Sequence, residues 1–120
     1  MGIKTPPFKE YEKWTTSRFF SFIRSSLRRS FTRWPPKYEA VERAKRLKPK
    51  GNVGRHRFEY QCSECKKYYA RKEVEVDHIV PAGSLKSFED LGGFAERLFV
   101  SADKLRLLCK SCHYKVTHHE

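Results

Sequence analysis

Two Cys-x2-Cys pairs, Cys62–Cys65 and Cys109–Cys112, account for all the cysteines of the chain. Their spacing constrains the fold more than any other feature. Each pair can present two thiolates from one tight turn, and two such turns together close a tetrahedral zinc site with Zn–S distances of about 2.3 Å. The 43 residues between the pairs must then leave one knuckle and return to the other. Four thiolates saturate the ion, so this zinc is structural and leaves no open position for chemistry. A chain of 120 residues has room for one domain of modest core, a size at which a metal staple matters. Disulfides are the alternative, but a bridge inside a two-residue knuckle belongs to thioredoxin-like redox motifs, and no such pattern surrounds these pairs. No secretory leader is recognisable, and the apolar runs fall far short of the roughly 20 residues that span a bilayer. The expectation is a soluble, cytoplasmic protein without membrane association, where paired cysteines serve as metal ligands.

Charge sets the second constraint. The net charge is +12, and it is one-sided: residues 1–50 carry 14 basic and 4 acidic side chains, residues 51–120 carry 12 and 10. A surplus of that size favours a polyanionic partner, nucleic acid first. The reading is a basic arm over 1–50 and a folded module over 51–120, with the turn cluster Pro49-Lys50-Gly51-Asn52 as the boundary. In the arm, Trp14 to Arg33 reads as a helix. Thr15, Thr16 or Ser17 caps its start, and Phe19, Phe20, Phe22, Ile23, Leu27 and Phe31 form an apolar stripe. Arg18, Arg24, Arg28, Arg29 and Arg33 cover much of the remainder and are the arm's candidate DNA contacts. Pro35-Pro36 ends that helix, and Pro36 suits the first turn of a second one running to about Lys48.

The module reads as short strands and knuckles: a strand over 57–61, a returning strand over 66–70, an alternating strand from Glu73 to Val80 stopped by Pro81, and a strand over 105–108. A helix is expected within 88–99, interrupted by Gly92-Gly93, and another from His113 to about His118. The fold class is therefore α+β. Lys66, Lys67, Arg71, Lys72 and Lys115 are candidate phosphate contacts on electrostatic grounds, which carry no sequence specificity. Glu73 and Glu75 could form a metal site, but exposed faces of a strand account for them better, and His56 reads as a backbone or phosphate contact rather than a metal ligand.

Asp77-His78 sits between the knuckles and His113 directly follows Cys112, so each lies beside an element that zinc makes rigid. A carboxylate and an imidazole can share a divalent ion, and a second imidazole can act as general base toward water. Phosphodiester hydrolysis needs both, with relief of charge at the leaving oxygen. The run Val76-Asp77-His78-Ile79-Val80-Pro81, with Leu105-Arg106-Leu107-Leu108-Cys109-Lys110-Ser111-Cys112-His113 and Thr117, resembles the HNH endonuclease family, in particular its small zinc-ribbon members of phages and prophages. The likeness covers about residues 58–117. It implies a ββα-metal module in which a β-hairpin and a helix clasp one catalytic ion (Mg²⁺, Mn²⁺, Ni²⁺ or Zn²⁺). Asp77 and His113 match the metal ligands and His78 the general base. It further implies DNA as substrate, a 5′ phosphate and a 3′ hydroxyl as products, and, by family analogy alone, a phage terminase or other packaging protein as a partner. The middle Asn of the family motif falls at Lys104. That Asn braces the loop between the two strands, whereas Lys can donate but not accept, and Asp103 is the neighbouring acceptor. Thr117 stands where some members place a further metal-binding His. The competing reading is a non-catalytic zinc-ribbon DNA-binding protein, which has no need of Asp77, His78 and His113.

Overall fold

The computed structural model describes residues 11–49 and 57–118. Residues 1–10 of the expected basic arm, positions 50–52 of the boundary turn, His56 and residues 119–120 lie outside them. The chain forms two compact units: residues up to Trp34 with Pro81–Phe99, and Pro35–Val80 with Val100 onward. This grouping differs from a division at 50/51, because the second helix belongs with the strands.

In the first unit, α1 spans Thr16–Phe31 and α3 spans Phe88–Leu98. Thr15 caps α1, its hydroxyl oxygen accepting the Arg18 N–H at 3.1 Å, and Arg28 and Arg29 in the last turn oppose the negative end of the helix dipole. The apolar stripe turns inward at Phe20 and Phe31, which are buried, while Phe22 is exposed and lies edge-on against Trp14. Phe20 meets Phe88 with ring centroids 5.0 Å apart, and Phe31 and Trp34 meet Phe99. Phe94 and Leu98 are fully buried. The helix α3 runs unbroken through Gly92-Gly93, contrary to expectation. A helical glycine costs about 1 kcal/mol against alanine, but the burial of Phe94 and Leu98 outweighs it at about 1.5–3 kcal/mol each. A Cβ on Gly93 would come within 2.9 Å of an Arg97 guanidinium nitrogen. The missing side chain thus clears the path for Arg97, whose Nε donates to the Ala82 carbonyl at 2.7 Å.

The second unit is built on the antiparallel pair β4 (Val74–His78) and β5 (Leu105–Cys109), with Asp77 opposite Arg106 and His78 opposite Leu105. A second sheet has the order β1 (Lys45–Leu47), β2 (Phe58–Gln61), β3 (Tyr68–Tyr69). The helices are α2 (Pro35–Ala44) and α4 (Lys110–His118). Alternation along β4 sends Val74 and Val76 to one face, where they join Val41 and Ala44 of α2, Leu107, Tyr60 and Tyr69. Leu108 is fully buried among the cysteines.

The expected continuation of α2 to Lys48 does not form. Lys45–Leu47 is extended and pairs with β2, and the Lys48 N–H donates to the Arg57 carbonyl at 2.8 Å. Its side chains gain partners there: the Lys45 ammonium lies 4.3 Å over Phe58, and the Arg46 guanidinium lies 3.4 Å over Tyr68 and pairs with Glu59 at 2.7 Å. A strand offered by residues farther along the chain overrides local helix preference. Among the described residues no helix is long and apolar enough to cross a membrane.

Candidate metal centre and active site

The Sγ atoms of Cys62, Cys65, Cys109 and Cys112 all lie within 4.8 Å of one another. A tetrahedron of bonds of about 2.3 Å has sulfur–sulfur edges of about 3.8 Å, so this all-sulfur donor set fits zinc. Cys62, Cys109 and Cys112 are buried and Cys65 half-buried. Each pair has the same local geometry: the Cys65 N–H points at Cys62 Sγ at 3.5 Å, and the Cys112 N–H at Cys109 Sγ at 3.4 Å. In the second pair, Cys109 directly precedes α4 and its sulfur accepts the N–H of the third helical residue, the bond a serine N-cap makes. The second knuckle is therefore the first turn of α4, which starts at Lys110 rather than His113. The first knuckle closes through Lys66, held at φ 67°, and is tied to β5 by the Ser63 N–H donating to the Leu107 carbonyl at 2.8 Å.

The Tyr69 hydroxyl stands 3.2 Å from Cys65 Sγ. That hydrogen bond, with the Lys67 backbone N–H second, pulls the Cys65 thiol down to about 6, while the Tyr69 hydroxyl is pushed up in turn. Burial pushes Cys112 up to about 12, with the neighbouring cysteines adding to it. Zinc must displace the protons of these thiols, so binding is tied to proton release.

Asp77 and His113 are brought together beside this cluster. Asp77 Oδ1 lies 3.5 Å from His113 Nε2. The other oxygen, Oδ2, accepts from Arg106 Nε at 3.1 Å, and the other imidazole nitrogen, Nδ1, lies 2.6 Å from Glu75 Oε1. Glu75 is thus more than an exposed strand position. The signal was present in the sequence, since residues two apart on a strand share a face and Glu75 stands two before Asp77. The rest of the constellation required knowing that α4 crosses that face. Glu73 turns back locally, accepting the Ala70 N–H at 3.0 Å.

His78 ends β4 and is half-buried. It directly follows Asp77 and is paired with Leu105 of β5. The strand ends are held by backbone, the Ile79 N–H donating to the Lys104 carbonyl at 3.0 Å, a bond any residue at 104 can accept. Asp103 is directed elsewhere, pairing with Arg43 of α2 at 3.3 Å. Thr117 lies exposed on α4.

Of the candidate DNA contacts, Arg18, Arg24, Arg28, Arg29 and Arg33 are exposed on and just after α1 in the first unit, and Lys66, Lys67, Arg71, Lys72 and Lys115 are exposed in the second. Some already have intramolecular partners: Arg18 lies over Trp14, Arg28 lies over Phe94, and Arg71 donates to the Val74 carbonyl at 3.2 Å.

The chain is 40% identical over 63 residues to a protein of Lactococcus phage SK1 named "Probable HNH endonuclease", a match covering 52% of this chain and 60% of that one. The chain thus spans somewhat under two thirds of that relative's length. No family model matches, and no solved structure does. What the sequence and structure establish together is an α+β chain with N-terminal helices, a four-cysteine cluster suited to structural zinc, and a partial likeness to an HNH endonuclease.

Proposed function

We propose that this chain is a metal-dependent DNA endonuclease of the HNH type, with β4, β5 and α4 as its ββα-metal module. The observation that carries the reading is the pair Asp77 Oδ1 and His113 Nε2, 3.5 Å apart, with β4 held by its pairing with β5 and α4 following β5 directly at Cys109. The named phage relative supports it. Asp77 and His113 would hold a catalytic divalent ion: a carboxylate oxygen and an imidazole nitrogen suit Mg²⁺, Mn²⁺, Ni²⁺ or Zn²⁺, and their separation is one a single ion can bridge. Such an ion supplies charge neutralisation at the phosphate and the departing oxygen. His78 takes the proton from the attacking water as general base. The net charge of +12 and the exposed arginines and lysines of both units supply a sequence-independent attraction to DNA. Lys104 does not disable the site in this reading, because the backbone bond to Ile79 braces the strand ends.

The test is cleavage of supercoiled plasmid by purified protein with Mg²⁺, Mn²⁺, Ni²⁺ or EDTA, beside His78→Ala. Metal-dependent nicking or linearisation, lowered at least about 100-fold in the variant with DNA binding retained, is the expected result. Binding without cleavage under every metal would sink the nuclease reading and favour a zinc-ribbon DNA binder.

A further inference from the structure

We propose that Glu75 is a positioning residue that sets the tautomer and orientation of His113, so that the nitrogen facing Asp77 carries a lone pair. The inference rests on the reading of Asp77 and His113 as ligands of a catalytic ion, and assigns a role that neither the motif nor the relative's name specifies.

The contact between Glu75 Oε1 and His113 Nδ1 is 2.6 Å, shorter than the roughly 2.9–3.0 Å of ordinary N–H···O bonds and at the short edge of charge-assisted ones. A carboxylate can only accept here, so Nδ1 must carry the proton. In the neutral ring Nε2 is then the unprotonated nitrogen, and it is Nε2 that faces Asp77. Glu75 sits across the ring from that side. It therefore acts through His113 and is not placed as a third ligand. The pleat explains how it gets there: Glu75 and Asp77 project from one face of β4, and the first turn of α4 passes His113 between them. Asp77 is arranged in the same manner, with Arg106 occupying Oδ2 and leaving Oδ1 toward His113. Each facing atom is thus the open one of a side chain whose other polar atom is held. Glu75 is 42% exposed, and ion pairs at such positions add little to stability, so orientation is the effect this contact is suited to produce. Metal-binding histidines generally have their second nitrogen held in this way, and loss of the partner costs about 10–100-fold in metal affinity or activity.

The experiment is nitrogen-15 NMR of the histidine rings in the full-length, zinc-loaded chain without added divalent ion, for wild type, Glu75→Ala and Glu75→Gln. The neutral His113 ring should be chiefly the Nδ1–H tautomer in wild type. In Glu75→Ala it should shift toward Nε2–H, with the thermal midpoint unchanged. In Glu75→Gln the amide oxygen still accepts and should keep the wild-type tautomer. Binding of Mn²⁺ by calorimetry should weaken about 10–100-fold in Glu75→Ala and recover most of that loss in Glu75→Gln. An unchanged tautomer in Glu75→Ala would overturn the proposal. So would a Glu75→Gln variant as impaired as Glu75→Ala, because it would make the charge, not the acceptor, the operative feature. The tautomer readout requires no cleavage: a Glu75-dependent tautomer in a chain that neither cuts DNA nor binds Mn²⁺ would refute the nuclease reading and leave the positioning role standing.

Discussion

Stripping the zinc should unfold the second unit, and the structure indicates how large the effect is. Among the described residues, its buried aliphatic side chains beyond alanine are Val41, Val74, Leu105, Leu107 and Leu108. At about 1.5–3 kcal/mol each, they contribute together about as much as one structural zinc, for which apparent binding energies are about 10–16 kcal/mol. Whole domains are stable by only about 5–15 kcal/mol, so either contribution is as large as the whole margin. The cluster is itself core: Cys62, Cys109 and Cys112 are buried with Leu108 between them, and without metal these sulfurs lose their common partner. The assay is metal content by mass spectrometry, followed by circular dichroism and thermal melting with and without a strong chelator, and then with zinc restored. One zinc per chain should be found. Chelation should abolish the cooperative transition of this unit, and zinc should restore it. A chelated chain that melts cooperatively at the original midpoint would refute the reasoning and show that the aliphatic core suffices alone.

Two further outcomes follow from the knuckles. Lys66→Gly should stabilise the protein: a left-handed conformation costs an L-residue about 1–2 kcal/mol, and glycine returns about 0.5–1 kcal/mol of that through the entropy it loses on folding. The net gain of about 0.5–1 kcal/mol should appear as a midpoint several degrees higher, whereas a lower midpoint would contradict the assigned backbone geometry. Tyr69→Phe should raise the pH at which zinc is released during acid titration, followed with a chromogenic chelator. The hydroxyl holds the Cys65 thiol down at about 6. A lowered thiol contributes stability that is present above its unfolded value of about 8.5 and lost as pH falls through the folded one. Without the hydroxyl, protons therefore compete with zinc at higher pH, and an unmoved midpoint would count against the Tyr69–Cys65 bond.

The sequence alone determined the parts whose physics is local. The spacing of Cys62, Cys65, Cys109 and Cys112 sufficed for the metal cluster, because a two-residue gap fixes where two sulfurs point whatever surrounds them. The three- and four-residue spacing of apolar side chains, with a cap among Thr15, Thr16 and Ser17, placed α1 to within two residues at each end. Alternation found β4. Tertiary structure decided whatever depended on partners far along the chain. The segment Lys45–Leu47 became a strand because β2 lies alongside it, although its local pattern continues α2. Val41 drew α2 into the second unit by packing on Val74 and Leu107, and burial of Phe94 and Leu98 carried α3 through two glycines. Glu75 is the sharpest instance: along the strand it reads as solvent-facing charge, and only the path of α4 over that face, fixed by the cysteines, turns it into the partner of His113. Periodicity records which face of an element is apolar; what comes to lie against that face is set by packing among distant segments.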